Sequence, residues 1–297
     1  MLQARTTRRL RILAAHAFLW AFIALVMFPL LLVVLISFRK GNFSTAASLW
    51  PTADNFSLEH WRLVLGLPVV RPDGSLAPAA PVLRWFFNSV KVAASASALI
   101  LLLSSSCAYA FARMKFPGRS RLLSALLVLQ MFPLVLALVA VYSILEFIGR
   151  FCPAFGLDTH PGLVLAYLGG IATHIWMIKG YFDSLPASLE ESAAIDGASP
   201  LRTFLSIILP SAVPVFAVVF ILAFIGLIGE YPTASVVLQN TASWTLAVGA
   251  NSFLYEQNYL WGDFAATAVL SGLPVTLLFL ASRRFLVSGL TAGAVKE

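Results

Sequence analysis

With 297 residues, 60% of them hydrophobic and 11% charged, and a mean hydropathy of +0.88, the chain lies far from the soluble balance of about 25% charged residues. A soluble enzyme or binding module is excluded, and what remains is a membrane chain with room for several spans of about 20 apolar residues and no large separate soluble domain. Two cysteines, Cys107 and Cys152, give neither a disulfide framework nor a metal cluster, and the net charge of +7 reads as a topology signal rather than a nucleic-acid footprint.

Charged side chains are costly in hydrocarbon, so spans lie where they are missing. The first charge-free window runs between Arg11 and Arg39 behind a basic N-terminus. It is too long for a signal-peptide core and no convincing cleavage site follows, so an uncleaved first helix is expected. From Lys40 to about Pro81 comes a long segment with Trp50, Trp61 and the turn signal Arg71-Pro72-Asp73-Gly74. Its two glycosylation triplets, at Asn42 and Asn55, are read as chance matches.

Further windows run between Lys91 and Arg113, Arg121 and Glu146, Asp158 and Lys179, Arg202 and Glu230, and Asp263 and Arg283, each predicted as one helix. The turn from Arg113 to Arg119, closed by Pro117-Gly118, holds the second and third spans antiparallel. Gly169-Gly170 in the fourth is read as a place for close helix contact. His16 and His174 are read as satisfied polar groups or interface residues, Lys91 and Glu230 as a structural ion pair or lip residues, and Trp176, Tyr181, Tyr259 and Trp261 as interface anchors. The stretch from Tyr231 to Tyr255 is charge-free, but Gln239, Asn240 and Asn251 suit lipid poorly, so it is left outside the membrane.

The expected fold is therefore an all-α integral membrane protein of six transmembrane helices. Placing the N-terminus in the cytoplasm puts thirteen of the 20 Lys and Arg residues on that side, which orients both termini inward. The expected organisation is a cytoplasmic N-terminus and first helix over 1–40, a periplasmic loop over 41–83, a core of five helices over 84–284 and a cytoplasmic tail over 285–297.

The loop before the fifth span, Asp183 to Arg202, has the grammar of two short helices and a sharp turn. Ser184 can cap, Pro186 suits a first turn, and Ser188 and Glu191 stand at capping-box spacing, predicting a helix through about Ile195. Gly197 can take the left-handed conformation that ends a helix, and Ser199-Pro200 can start the next. Leu185, Leu189, Ser192 and Ala193 are spaced to share a face, with small residues that let another protein approach.

Glu191-Ser192-Ala193, Gly197 and Ile207-Ile208-Leu209-Pro210 resemble the "EAA…G…I-x-L-P" loop of ABC importer permeases, with Ser192 where that motif usually has Ala. Asp196-Gly197-Ala198 is the form common among sugar-importer subunits. Asn88-Ser89-Val90-Lys91-Val92-Ala93, Cys107-Ala108-Tyr109-Ala110-Phe111-Ala112-Arg113-Met114, Gln130-Met131-Phe132-Pro133, Tyr259-Leu260-Trp261-Gly262-Asp263-Phe264-Ala265 and Ser288-Gly289-Leu290-Thr291-Ala292-Gly293-Ala294-Val295-Lys296 extend the likeness to the maltose/maltodextrin branch over nearly the whole chain.

The resemblance implies the ABC importer type I permease fold and a bacterial inner membrane location. It also implies a complex with a MalF-like second permease, two copies of a MalK-like ATPase and a periplasmic sugar-binding protein. Leu189, Glu190, Glu191, Ser192, Ala193, Ile195, Asp196, Gly197, Ile207, Leu209 and Pro210 would then form the surface coupled to the ATPase, the loop from Tyr231 to Tyr255 would reach the binding protein, and the tail would contact the ATPase pair. No sugar ligand is assigned, because in that family the other permease holds most of them.

The residues agree with this division of labour. No G-x-x-x-x-G-K-[ST] phosphate loop occurs, so ATP and magnesium belong to a partner and no cofactor or metal is expected in this chain, which is a transport subunit rather than an enzyme. An ion-coupled transporter would place ionisable residues or broken helices near the midplane, and an enzyme would gather a nucleophile, metal or acid pair at one depth; neither set emerges. Another oligosaccharide or a polyol stays open as the substrate.

Overall fold

The computed structural model describes residues 2–42, 50, 52–70, 74, 76, 80–255 and 258–292. The remainder of the first glycosylation triplet, the turn residues Arg71-Pro72-Asp73 and the last residues of the tail lie outside this set. Among the described residues the regular structure is helical, save a pairing of two-residue strands, β1 (Leu254–Tyr255) and β2 (Asn258–Tyr259), and isolated bridges of Arg39 with Phe56 and Val70 with Leu76. It divides into two compact units, residues 1–83 with 250–270, and residues 84–249 with 271–297.

Among the described residues three helices are long and apolar enough to cross a membrane by themselves. They are α1 (Leu2–Ser37), α3 (Val82–Arg113) and α14 (Trp261–Ala292), and the short α2 (Glu59–Val64) lies between the first two. The other three windows hold bent pairs, which corrects the expectation of one helix per window. Pairs α4 (Arg119–Gln130) with α5 (Leu134–Phe151), α6 (His160–Tyr167) with α7 (Ala172–Ser184), and the helical stretches Pro200–Ser211 with Val213–Ile228 bend by 103°, 56° and 74°.

Each break has a cause in the backbone. Pro133 lacks an N–H and pushes Phe132 out of the helical region, so the third window stops at Met131 and restarts at Leu134. In the fourth, Leu168-Gly169-Gly170 tightens into a 3₁₀ turn. A Cβ at either glycine would meet nothing within 4 Å, so their role is to loosen the helix and not to admit a neighbour. In the fifth, α9 (Pro200–Thr203) runs through a π-helical turn, Phe204–Ile208, into α10 (Leu209–Ser211). The Leu209 N–H reaches Phe204 O, and Pro210 has no N–H to give Ser206. Pro214 then opens the ladder again at the start of α11 (Val213–Ile228). Gln130, at the end of α4, donates to Thr173 Oγ1 beside the break of the fourth window, so a side chain serves where backbone pairing is interrupted.

In the first unit, the apolar window of α1 buries nothing and is hydrophobic all round, as a lipid-facing or partner-facing helix is. Phe38 stacks on Phe56 and Trp61, and Lys40 N–H donates to Asn55 O at 2.8 Å. The segment then meets the start of α14. Asn42 Oδ1 accepts from Gly262 N–H at 3.0 Å and Asp263 N–H at 3.1 Å, which satisfies orphan donors of that helix. Asn42 is thus a structural residue, as its reading as a chance glycosylation match allows.

His60, 1% exposed, has Nδ1 2.6 Å from Asp263 Oδ1 and Nε2 3.1 Å from Gly41 O. Both ring nitrogens face acceptors, an arrangement only the doubly protonated imidazolium satisfies. Burial opposes that charge, but the Asp263 hydrogen bond and charge, with Glu59 and the Gly41 carbonyl, outweigh it and raise the pKa above 6.5. A Cβ at Gly262 would run into the imidazole, so glycine is required there by close approach.

Because the folded pKa is raised, the stabilisation by His60 is complete below about pH 6.5 and is lost as pH rises through the folded value. Hydrogen exchange at the Gly262 and Asp263 amides should therefore quicken from pH 6 to 9 beyond the intrinsic base dependence. His60→Gln should remove that excess and cost about 3 kcal/mol of local stability by leaving Asp263 buried without its cation.

Candidate ATPase-coupling elbow

Two of the apolar clusters of the second unit are joined by α3. One gathers Tyr109, Phe111, Ile178, Phe182, Phe204 and Ile208, and Tyr109 lies 4.5 Å from the Phe204 ring. The other gathers Val92, Leu145, Leu163, Tyr167, Val237 and Leu238. Against the first cluster sits the elbow, formed by α8 (Ser188–Ile195) and α9.

The elbow's turn is a Schellman cap. Gly197 takes φ +76°, its N–H donates to Ala194 O at 3.0 Å, and Ala198 N–H reaches Ala193 O at 2.9 Å. Ser199 Oγ accepts from Arg202 N–H at 3.3 Å and starts α9 as expected. The start of α8 departs from expectation. Ala187 is already helical, and Leu189 and Glu190 N–H reach Pro186 O and Ala187 O, so Ser188 falls inside the first turn and cannot form a capping box with Glu191. Ser184 instead donates back to Tyr181 O at the end of α7.

The predicted residues separate into an outward edge, an inward pair and a distant group. Leu189 is 39% and Ile195 88% exposed, and Glu191, Ser192, Asp196 and Gly197 are exposed beside them. Ala193, 4% exposed, packs inward, so the expected shared face is divided. Glu190 also turns inward, with its Oε2 2.8 Å from Arg113 Nε at the end of α3. Ile207, Leu209 and Pro210 lie further along, in the π-helical turn and α10, where Leu209 packs on the first cluster; they shape the break and are not on the exposed edge.

At the other end of α3, the segment from Glu230 onwards is held in detail. Glu230 accepts from Tyr167 Oη at 2.8 Å and from Thr233 and Ala234 N–H, seating the start of α12 (Pro232–Val237). It serves as a helix cap, where an ion pair or a lip residue was expected. Asp158, at φ +58°, accepts from Gln239 and Asn240 N–H. Trp85 donates to Thr241 O, Asn88 to Ala242 O and Trp244 O, and Ser89 accepts from Leu246 N–H at the start of α13 (Leu246–Asn251). Gln239, Asn240 and Thr241 stay exposed on this frame.

Arg113, Asp158 and the Trp85-Asn88-Ser89 set were not singled out as site residues from sequence. The available signal was an Arg and an Asn bounding a charge-poor helix, a pattern that snorkelling end residues share. Among the described residues no group of His, Cys, Asp and Glu is placed to hold a metal ion.

Residues 100–291 match the family described as the binding-protein-dependent transport system inner membrane component, and the chain belongs to that family. It is a permease subunit of an ABC importer of the inner membrane, which works with a partner membrane subunit, an ATPase and a binding protein.

The chain is 56% identical over 287 residues, 96% of each chain, to the maltose/maltodextrin transport system permease protein MalG of Vibrio vulnificus (strain YJ016). It is 53% identical over 291 residues to MalG of Escherichia coli (strain K12), covering 98% of this chain and 97% of that one. In fold it is similar to a chain of a bacterial ABC transporter involved in the import of the acidic polysaccharide alginate, with a TM-score of 0.75, 18% identity and coverage of 94% and 97%.

The Schellman turn supplies a direct mutational test. A Cβ at Gly197 meets nothing within 4 Å, so substitution acts through backbone strain of about 1–2 kcal/mol and not through collision. Gly197→Ala and Gly197→Val are both expected to insert and fold, with transport falling further for Val, as read by uptake in membranes normalised to expression.

Proposed function

We propose that this chain is the maltose/maltodextrin permease of its importer, paired with a MalF-like subunit, driven by two MalK-like ATPases and supplied by a periplasmic sugar-binding protein. The identity to MalG proteins over nearly the full length supports this reading. The observation that carries the mechanism is the elbow, a short helix that exposes Leu189, Glu191 and Ile195 and is closed by a left-handed glycine.

Both termini lie in the cytoplasm, and the exposed edge from Leu189 to Gly197 seats in the ATPase. ATP and magnesium are held by that partner, and closure of the ATPase pair pulls the elbow so that spans move as rigid bodies between outward and inward access. Ile207, Leu209 and Pro210 act behind the edge, where the π-helical turn and the break let the elbow tilt against α11. The segment from Tyr231 to Tyr255 faces the periplasm and meets the binding protein.

Co-expression with the neighbouring permease, ATPase and binding-protein genes tests the whole reading. Maltose with its binding protein should stimulate ATP hydrolysis in membranes by about tenfold or more, a coupling of ordinary size. Stimulation by another oligosaccharide or a polyol alone would keep the importer and change its substrate. In a variant with Cys107 and Cys152 replaced by Ser, Asn240→Cys should react with an impermeant thiol reagent applied from the periplasm. Reaction only from the cytoplasm would overturn the orientation.

A further inference from the structure

We infer that Arg113 couples the elbow to α3 as a positioning residue, making α3 a rigid rod that carries the elbow's position to the exposed segment Gln239-Asn240-Thr241. The inference rests on the elbow's role as the ATPase contact.

An eight-residue helix does not hold itself, and α8 buries a single residue, Ala193. At its far end the elbow runs on through the Schellman turn and α9 into the fifth span. At its near end it is tied to a different span, and Arg113 makes that tie twice. Its Nε lies 2.8 Å from Glu190 Oε2, and its Nη2 donates to Leu185 O at 2.9 Å, just before α8 begins. The Glu190 carboxylate is also faced by the Tyr109 hydroxyl, one turn back along α3, and Tyr109 is wedged on Phe204. Arg113 and Glu190 side chains are only 18% and 21% exposed, so water screens the pair weakly. A planar guanidinium can serve both the carboxylate and the carbonyl, whereas a lysine offers one point charge.

The rod itself is an unbroken helix of 32 residues without proline, unlike the bent pairs around it. From Arg113 back to Trp85 it spans about 42 Å at 1.5 Å per residue. At that end Trp85, Asn88 and Ser89 hold Thr241, Ala242, Trp244 and Leu246 by side-chain hydrogen bonds. A displacement of the elbow therefore reaches three places: the fourth and fifth spans by chain continuity, and the 239–241 tip by the Arg113 tie.

The test uses the complete importer with Arg113→Gln, Arg113→Lys, and the exchanged pair Arg113→Glu with Glu190→Arg. Two quantities are read: the ratio of stimulated to basal ATP hydrolysis, and the difference in labelling at Asn240→Cys between ATP-bound and nucleotide-free states. In Arg113→Gln the ATPase should still co-purify, while the stimulation ratio falls about tenfold and the nucleotide-dependent labelling difference disappears. Arg113→Lys should be intermediate, and the exchanged pair should regain part of both signals.

Wild-type stimulation and labelling difference in Arg113→Gln would overturn the coupling role, as would equal loss in all three variants with failed assembly, which marks a residue needed only for folding. If the unmutated importer shows no stimulation with any sugar, the elbow's assignment fails first, and the two failures are thereby distinguished.

Discussion

In hydrocarbon each backbone N–H and C=O needs a partner, and this chain repeatedly removes one. Pro133, Pro210 and Pro214 withdraw donors, and Leu168-Gly169-Gly170 replaces an α-turn with a tighter one. Lipid offers no compensation, so the breaks require neighbours: Gln130 reaches Thr173 across two of them, and Tyr181 Oη donates to Ser211 O beside the third. The bundle has to be packed for its own helices to be permitted. Against those bent elements α3 stays unbroken, and it is α3 that bears on the elbow at one end and on the 238–246 segment at the other.

Where the sequence carried a strong physical signal, the structure was legible from it. Charge-free windows located the helices because ionic side chains in lipid cost more than any local propensity can offset. Gly197 marked its own turn, since few other residues take φ near +76° without strain, and Ser199 marked the start of α9. Window counting missed the bends because it registers hydropathy, and a proline or a glycine pair changes backbone pairing without changing hydropathy. The capping box failed because Pro186 and Ala187 begin the turn earlier than Ser188.

The candidate site was half legible. The exposed edge from Leu189 to Gly197 follows from one contiguous motif. The inward Glu190 and its partner Arg113 are 77 positions apart in sequence, and a single chain gives no means to pair residues at that distance. The same is true of His60 with Asp263 and of Asn88 with Ala242 and Trp244. The residues that hold the loops were visible one by one, as a histidine in a polar loop or an asparagine at a span end. For His60 and Asn88 the contacts that give them meaning are long-range.

The His60–Asp263 pair also bears on how the protein is made. The two residues are separated by 203 positions, and Asn42 waits 221 for the same aspartate. At a synthesis rate of about 5–20 residues per second, the first loop stands unfinished for on the order of 10–40 seconds while the intervening spans are inserted. Arrival of the last helix closes it, so the first loop completes its hydrogen bonding only after the final span has been made.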